Sequence, residues 1–282
     1  MSFDTLISAE QLAAHAQDAT WRIFDCRHNL ADPQAGEQAY RAAHIANAQF
    51  LHLERDLSGS KTGRNGRHPL PDPAILATTL SRYGVSRQTQ VIAYDDAGGM
   101  FAVRLRWLLR WLGHDRVAVL DGGWSAWQGA GYPVSRDVPP PSPATFVPQQ
   151  RDDTVDAAYV QTHLHSTEVL LLDARAPDRY RGENETLDPV AGHIPGAVNR
   201  FYKDNLAADG RFKPPAQLRA ELDALTQKNP RAQIVAYCGS GVSACHNLLA
   251  LELAGQHGAR LYPGSWSEWC SDPTRPVATG TE

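Results

Sequence analysis

The sequence predicts an α/β protein built from two tandem copies of one domain, each a largely parallel sheet flanked by helices. Two observations carry this prediction. Four landmarks occur twice in the same order along the 282 residues, and within each copy short β-branched runs alternate with helix-like segments. Buried strands separated by helices are typical of parallel sheets, because each crossover needs a connecting helix.

The repeat rests on four matched pairs of segments. They are IFDCR (23–27) with LLDAR (171–175), AAHIANAQF (42–50) with AGHIPGAVN (191–199), VIAYDDAGGMFA (91–102) with IVAYCGSGVSA (234–244), and LDGGWSAW (120–127) with YPGSWSEW (262–269). The offset between partners is nearly constant, which indicates a duplicated domain of roughly 140 residues. We expect a first domain over 1–135, a linker over 136–151 and a second domain over 152–282. The linker holds five prolines, which favours an extended, semi-rigid connector.

The elements of the second copy follow from its apolar runs. We expect strands at 169–174, 233–237 and 259–263, and helices at 214–225 and 243–255. Ligands of such sheets bind beyond the carboxyl ends of the strands. Cys238 follows the second of these strands and therefore lies at such an end.

Composition excludes several classes of function. The formal net charge is −4 and the basic residues are scattered, so no basic surface is expected for nucleic acid or acidic membranes. No apolar run approaches the ~20 residues of a membrane span, and the first residues lack the pattern of a secretory signal. Four irregularly spaced cysteines favour a reducing, cytoplasmic setting over a disulfide framework. No phosphate-binding, dinucleotide or metal-ligand motif is present, so neither cofactor nor metal is expected.

The loop CGSGVS (238–243) places a thiol between a strand and a helix. Its two glycines allow successive N–H groups to point inward, and the N-terminus of the following helix adds unpaired donors. Such a setting stabilises a thiolate, which predicts a nucleophilic Cys238. The alternative is a small buried apolar residue. The first copy has Asp95 at the matching position, so only the second copy carries the thiol. Cys245, Cys26 and Cys270 are expected to be structural.

With these motifs the chain resembles the two-domain rhodanese-type sulfurtransferases, and most closely their 3-mercaptopyruvate sulfurtransferase branch. That branch has CGSGVT where this chain has Ser243 in place of threonine. GHIPGAVN (192–199) and the GGW and GSW turns are further family landmarks. The resemblance implies two rhodanese-like domains, of which the first, without a nucleophile, is structural and lines the cleft.

The resemblance also implies the chemistry. A small-molecule donor would pass sulfur to Cys238 as a persulfide, and a thiol, thioredoxin or cyanide would accept it. The loop residues Gly239, Gly241, Val242 and Ser243 would bind the substrate. The loop lacks the basic residues usual in the thiosulfate-using branch, which favours a monoanionic mercapto acid. Thiosulfate remains the alternative donor.

Four further residues take roles through the resemblance. Ser240 matches the serine that works with a histidine and an acid from the first domain; His68 matches the histidine and Glu54 the acid, with Asp56 as an alternative. Arg179 matches the arginine that grips the substrate carboxylate.

One departure from the pattern concerns the second carboxylate-binding arginine of that branch. The segment ENETLDPVAG (183–192) lacks it, which leaves Arg181 and Arg200 as candidate replacements.

Two other classes of function are weighed against the enzyme. A phosphatase loop would have an arginine six residues after the cysteine, where this chain has Ala244. A non-enzymatic sulfur-relay module would keep Cys238 without needing Ser240, His68 and Arg179 together.

Overall fold

The computed structural model describes residues 2–140, 142–164, 166–227 and 232–281, so residue 141 of the expected linker lies outside the described residues. The chain forms two compact units. Unit 1 comprises Met1–Gly59, Leu70–Asp152 and Ala208–Arg211; unit 2 comprises Ser60–Pro69, Asp153–Ala207 and Phe212–Glu282.

Unit 1 is built on a five-stranded parallel sheet with helices between its strands. Its elements are β1 (Leu6–Ile7), α1 (Ala9–His15), β2 (Trp21–Asp25), α2 (Ala35–Ala42), β3 (His44–Ile45), β4 (Gln49–Phe50), α3 (Pro73–Arg82), β5 (Gln90–Tyr94), α4 (Ala102–Trp111), β6 (Val117–Leu120), α5 (Gly123–Gly129) and β7 (Val134–Ser135). The strand order in this sheet is β1-β6-β5-β2-β4. A separate antiparallel pair joins β3 to β7.

Unit 2 repeats the plan with a sheet of four parallel strands. Its elements are α6 (Ala157–Thr162), β8 (Val169–Asp173), α7 (Pro177–Arg181), β9 (Val198–Asn199), a 3₁₀ helix (Tyr202–Asn205), α8 (Pro215–Thr226), β10 (Gln233–Tyr237), α9 (Ala244–Leu253), β11 (Arg260–Leu261) and α10 (Ser265–Trp269). The strand order in this sheet is β11-β10-β8-β9.

The position of β10 at the centre of the second sheet determines where the loop that follows it lies. β10 pairs with β8 through five residues and with β11 on its other side, so its backbone is hydrogen-bonded along both edges. Tyr237, its last residue, is fully buried in a core that also contains Trp266 and Trp269. The loop beginning at Cys238 therefore starts from a rigid support.

The observed elements confirm the expected fold class. The strands expected at 169–174 and 233–237 are β8 and β10, and the helices expected at 214–225 and 243–255 are α8 and α9, each within two residues at either end. The strand expected at 259–263 is shorter, because β11 is an edge strand of two residues.

The linker residues that are described form no helix, belong to unit 1 and hydrogen-bond to its other segments. The N–H groups of Ala144 and Gln149, for example, donate to the carbonyls of Ser81 and Leu112. No described helix is long and apolar enough to cross a membrane.

Candidate active site

Cys238 is the first residue after β10 and lies at the carboxyl edge of the second sheet. Its side chain is buried, and the N–H of Gly241 donates to its Sγ at 3.1 Å. Gly241 can turn its amide toward the sulfur because its φ is +77°, a conformation that glycine adopts without strain. A Cβ at this position would lie 2.4 Å from the carbonyl oxygen of Pro263. The loop therefore turns one of its own amides toward the sulfur atom of Cys238.

The turn preceding α10 holds the nucleophile's backbone in place. Ser265 Oγ accepts a hydrogen bond from the N–H of Cys238 at 3.1 Å and donates to the carbonyl of Tyr262 at 2.9 Å. Ser265 adopts a φ of +56°, which is costly for a residue with a side chain, and the matching residue of unit 1 is Gly123. The second copy thus accepts backbone strain at the position where a hydroxyl supports Cys238.

The loop of unit 2 offers N–H donors that no described residue accepts. The amides of Gly239, Ser240, Val242 and Ser243 make no hydrogen bond within the described part of the chain. Such amides at a strand-to-helix loop form a site for negative charge.

The matching loop of unit 1 shows how such donors are used. The buried carboxylate of Asp95 accepts from the N–H groups of Ala97, Gly99, Phe101 and Ala102 at 2.7–2.8 Å. Asp95 occupies the position that matches Cys238, so in unit 1 an anionic side chain fills the ring of amides. In unit 2 the matching position holds a thiol, and one loop amide, that of Gly241, donates to it.

Ser240 and His68 are brought together in unit 2. Ser240 Oγ lies 2.7 Å from His68 Nδ1, and both side chains are buried. The segment Ser60–Pro69, which carries His68, packs as part of unit 2 although it lies early in the chain. Glu54 belongs to unit 1, and its expected role stays a prediction.

Two guanidinium groups lie beside the loop. A Cβ built on Gly239 would lie 2.7 Å from Arg67 Nη2 and 3.7 Å from Arg179 Nη1, so both cations lie close to the backbone of the residue after the nucleophile. Arg179 was expected from the sequence and Arg67 was not. The signal for Arg67 was its place directly before His68, in the same segment of unit 2.

Both arginines are paired with acids of the segment 183–192. Arg179 Nη2 lies 2.8 Å from each oxygen of Glu185, and Arg67 Nη1 is paired with an oxygen of Asp188. Arg179 also lies 3.5 Å from Asp188. The two carboxylates are almost completely buried. Neither acid was predicted from the sequence.

The two replacement arginines that the sequence suggested are engaged with other partners. Arg181 forms a bidentate pair with the exposed Glu183. Arg200 binds Asn205 and Glu221. By contrast, Arg67 has its guanidinium group against Gly239.

The remaining cysteines are buried free thiols. Burial raises the pKa of Cys26 well above its ordinary value, and the charges of Asp25 and Asp95 raise it further. Burial likewise raises the pKa of Cys270 to about 11. The thiol of Cys245 donates to the carbonyl of Gly241 at 3.3 Å, below the loop.

Comparison with known proteins assigns the family. The Rhodanese-like domain matches residues 8–130 and 156–272. The chain is 50% identical over 283 residues to a probable 3-mercaptopyruvate sulfurtransferase of Pseudomonas aeruginosa, covering 99% of this chain and 100% of the relative. It is 41% identical over 287 residues to a putative thiosulfate sulfurtransferase of Mycobacterium tuberculosis, covering 98% and 97%.

A solved structure shows the same architecture. The 3-mercaptopyruvate sulfurtransferase from Leishmania major superposes with a TM-score of 0.83 at 29% identity, covering 94% of this chain and 74% of that one. The relatives that share the family are enzymes that transfer sulfur. The chain therefore belongs to the rhodanese-like family and is a sulfurtransferase with two tandem rhodanese-like domains.

Proposed function

We propose that the protein transfers sulfur from 3-mercaptopyruvate to a thiol, thioredoxin or cyanide acceptor through a persulfide on Cys238. The observation that carries the proposal is the pair of matched loops. In unit 1 four loop amides hold the carboxylate of Asp95, whereas in unit 2 one loop amide donates to Sγ of Cys238 and four others have no acceptor among the described residues. A terminal persulfide sulfur carries negative charge, and amides left without an acceptor would stabilise it there.

The first half-reaction conserves atoms and electrons without an external oxidant. The thiolate of Cys238 attacks the donor sulfur, the new S–S bond forms and the C–S bond of mercaptopyruvate breaks. The electron pair of that bond leaves on the enolate of pyruvate, which takes up one proton. The products are the Cys238 persulfide and pyruvate.

The second half-reaction returns the enzyme to its starting state. The acceptor, a thiolate or cyanide, attacks the outer sulfur of the persulfide. The S–S bond breaks, its electron pair returns to Sγ of Cys238, and the acceptor leaves as a persulfide or as thiocyanate.

Ser240 and His68 supply the proton step. The hydroxyl lies in hydrogen-bond contact with the imidazole, so a proton can pass between the reacting donor and the ring. The leaving enolate needs a proton, which gives this pair a task specific to mercaptopyruvate. Sulfite, the group that leaves from thiosulfate, needs none.

Arg179 and Arg67 orient the donor. A guanidinium group binds a carboxylate through parallel N–H donors, and both cations lie beside the residue after the nucleophile. A donor carboxylate held there would direct the C–S bond toward Cys238. Arg67 is our proposed second carboxylate-binding residue, in place of Arg181 or Arg200.

The donor proposal is tested by kcat/KM with 3-mercaptopyruvate and with thiosulfate, for wild type, Arg67→Gln and the control Arg181→Gln. We expect wild type to prefer mercaptopyruvate. Arg67→Gln should raise KM for mercaptopyruvate about 10-fold or more, because it removes a charged hydrogen-bond partner of the substrate. Arg181→Gln should behave as wild type. A preference for thiosulfate in wild type would assign the protein to the alternative donor, and equal effects of the two substitutions would remove Arg67 from the site.

A further inference from the structure

The donor site contains two buried acids whose charge balances its two arginines. Glu185 and Asp188 are 2% and 3% exposed, and they face Arg179 and Arg67, which are 19% and 28% exposed. Buried carboxylates beside an anion-binding site are unfavourable for anion binding, since each repels the anion. Their presence in this position calls for a functional explanation.

The two acids are held very differently. Glu185 accepts two hydrogen bonds from Arg179 Nη2 and further ones from the N–H groups of Leu187 and Asp188. Burial raises the pKa of Glu185, but these hydrogen bonds outweigh that effect and leave its pKa below the ordinary value. Glu185 is therefore a fixed part of the site and shapes the segment that contains Asp188.

Asp188 is held by guanidinium groups alone among the described residues. Its partners are Arg67 and, at 3.5 Å, Arg179, and no backbone N–H donates to its carboxylate. Burial keeps the pKa of Asp188 above the ordinary value in spite of Arg67. Of the two acids, Asp188 is the one whose charge can be exchanged or displaced with the fewest broken hydrogen bonds.

We propose that Asp188 is a specificity-determining residue that holds Arg67 in the free enzyme and selects monoanionic donors over dianionic ones. The proposal rests on the proposed function, since it concerns the donor site of that reaction. With Asp188 ionised, the two arginines and two acids sum to zero charge. An arriving donor has to replace the Asp188 carboxylate on Arg67, and one carboxylate can replace another without changing the charge at that cation.

The selectivity follows from the charge that each donor brings. Asp188 repels every anionic donor, and Coulomb repulsion doubles for a dianion. Mercaptopyruvate with a protonated thiol carries one negative charge, and thiosulfate carries two. Removing one negative charge about 4 Å from the donor, in water, strengthens binding of a monoanionic donor about 5-fold. For a dianionic donor the same removal strengthens binding about 25-fold. The ratio of kcat/KM for thiosulfate to kcat/KM for mercaptopyruvate therefore measures the effect of Asp188 independently of the absolute rates.

The test is Asp188→Asn, with Glu183→Gln as the matched control. Glu183 is an acid of the same segment, is exposed and is paired with Arg181, so its amide variant changes net charge equally. We expect Asp188→Asn to raise kcat/KM for thiosulfate relative to mercaptopyruvate about 5-fold, and Glu183→Gln to leave the ratio unchanged. Asp188→Ala, a second variant that removes the charge, should shift the ratio in the same direction.

A binding measurement that needs no turnover accompanies the kinetics. The rise in Tm caused by sulfate, relative to that caused by pyruvate, should be larger in Asp188→Asn than in wild type. An unchanged ratio in both measurements, or an equal shift in Glu183→Gln, would overturn the role of Asp188. Failure of the proposed function looks different: wild type itself would then prefer thiosulfate or would transfer sulfur from neither donor.

Discussion

At the scale of single residues, two hydrogen bonds position the nucleophile Cys238. Sγ of Cys238 accepts from one amide of its own loop, and the backbone N–H of Cys238 is held by Ser265. Ser265 is a residue with a side chain at positive φ, in a place where the other copy has glycine. Strain of this kind persists where a surrounding structure enforces it, and here it supports the nucleophile.

Ser240 allows the proton step to be separated from sulfur transfer. Ser240→Ala should lower kcat/KM for 3-mercaptopyruvate by about 100-fold, the usual contribution of a general acid or base, and should leave thiosulfate turnover nearly unchanged. His68→Asn should give the same pattern, and the double variant should be no worse than either single one because the two act as a unit. Equal losses with both donors would show that the pair positions the loop and moves no proton.

At the scale of elements, the two strand-to-helix loops differ in the side chain that their amides contact, a carboxylate in unit 1 and a thiol in unit 2. In unit 1 the carboxylate is that of Asp95, which is fully buried. Burial raises the pKa of Asp95, although four backbone hydrogen bonds oppose the shift. The first loop therefore stabilises its unit, and its four amides that bind Asp95 cannot bind a substrate.

Removing the Asp95 carboxylate should destabilise unit 1. Asp95→Ala leaves four amides, three of them buried, without their acceptor, and we expect the free energy of unfolding to fall by about 3 kcal/mol or more. The neighbouring Asp96 is exposed, so Asp96→Ala should stay within about 0.5 kcal/mol of wild type. Chemical denaturation of the full chain measures both. If the two variants are equally stable, the Asp95 hydrogen bonds do not stabilise the fold.

Helix α8 contacts neighbouring residues through Glu221, an acid whose contribution to the free energy of unfolding depends on pH. Glu221 accepts from Arg200, Lys213 and Gln217 at 2.7–3.0 Å. Burial raises the pKa of Glu221, but these hydrogen bonds lower it from 4.5 to about 2. Because the folded-state pKa lies below that of the unfolded chain, the contacts stabilise the fold above pH 4.5, and this stabilisation is lost as the pH falls toward 2.

Glu221→Gln should therefore cost stability at pH 7 and progressively less in acid. The side chain is partly exposed, so the cost should be less than about 1 kcal/mol. Denaturation of wild type and variant at a series of pH values should show the gap closing below pH 4.5. Glu168→Gln, at an exposed acid before β8, is the matched control for the loss of one negative charge. A gap that is constant with pH would mean that the ion pairs of Glu221 contribute nothing.

At the scale of the whole molecule, the sequence predicted the duplication, the fold class and the central elements of the second copy. Local patterns suffice for these features, because buried strands and amphipathic helices leave periodic apolar residues. The loop at Cys238 could be predicted for a related reason, because its glycines and the following helix are contiguous in the chain.

The features that the sequence did not show are those assembled from distant segments. Arg67 lies 172 residues before Gly239 along the chain, and only the fold places the segment Ser60–Pro69 in unit 2. Asp188 and Glu185 resemble solvated loop acids in the sequence, yet both are buried against arginines. Such contacts depend on tertiary packing, which no local period encodes.

The proposed mechanism requires Cys238 to carry the sulfur atom. This is tested by mass spectrometry of the protein after reaction with 3-mercaptopyruvate in the absence of an acceptor. We predict one added sulfur atom on the peptide containing Cys238, its loss on addition of cyanide with formation of thiocyanate, and no added sulfur in Cys238→Ser. Sulfur found on Cys245 instead, or continued sulfur transfer by Cys238→Ser, would contradict the account.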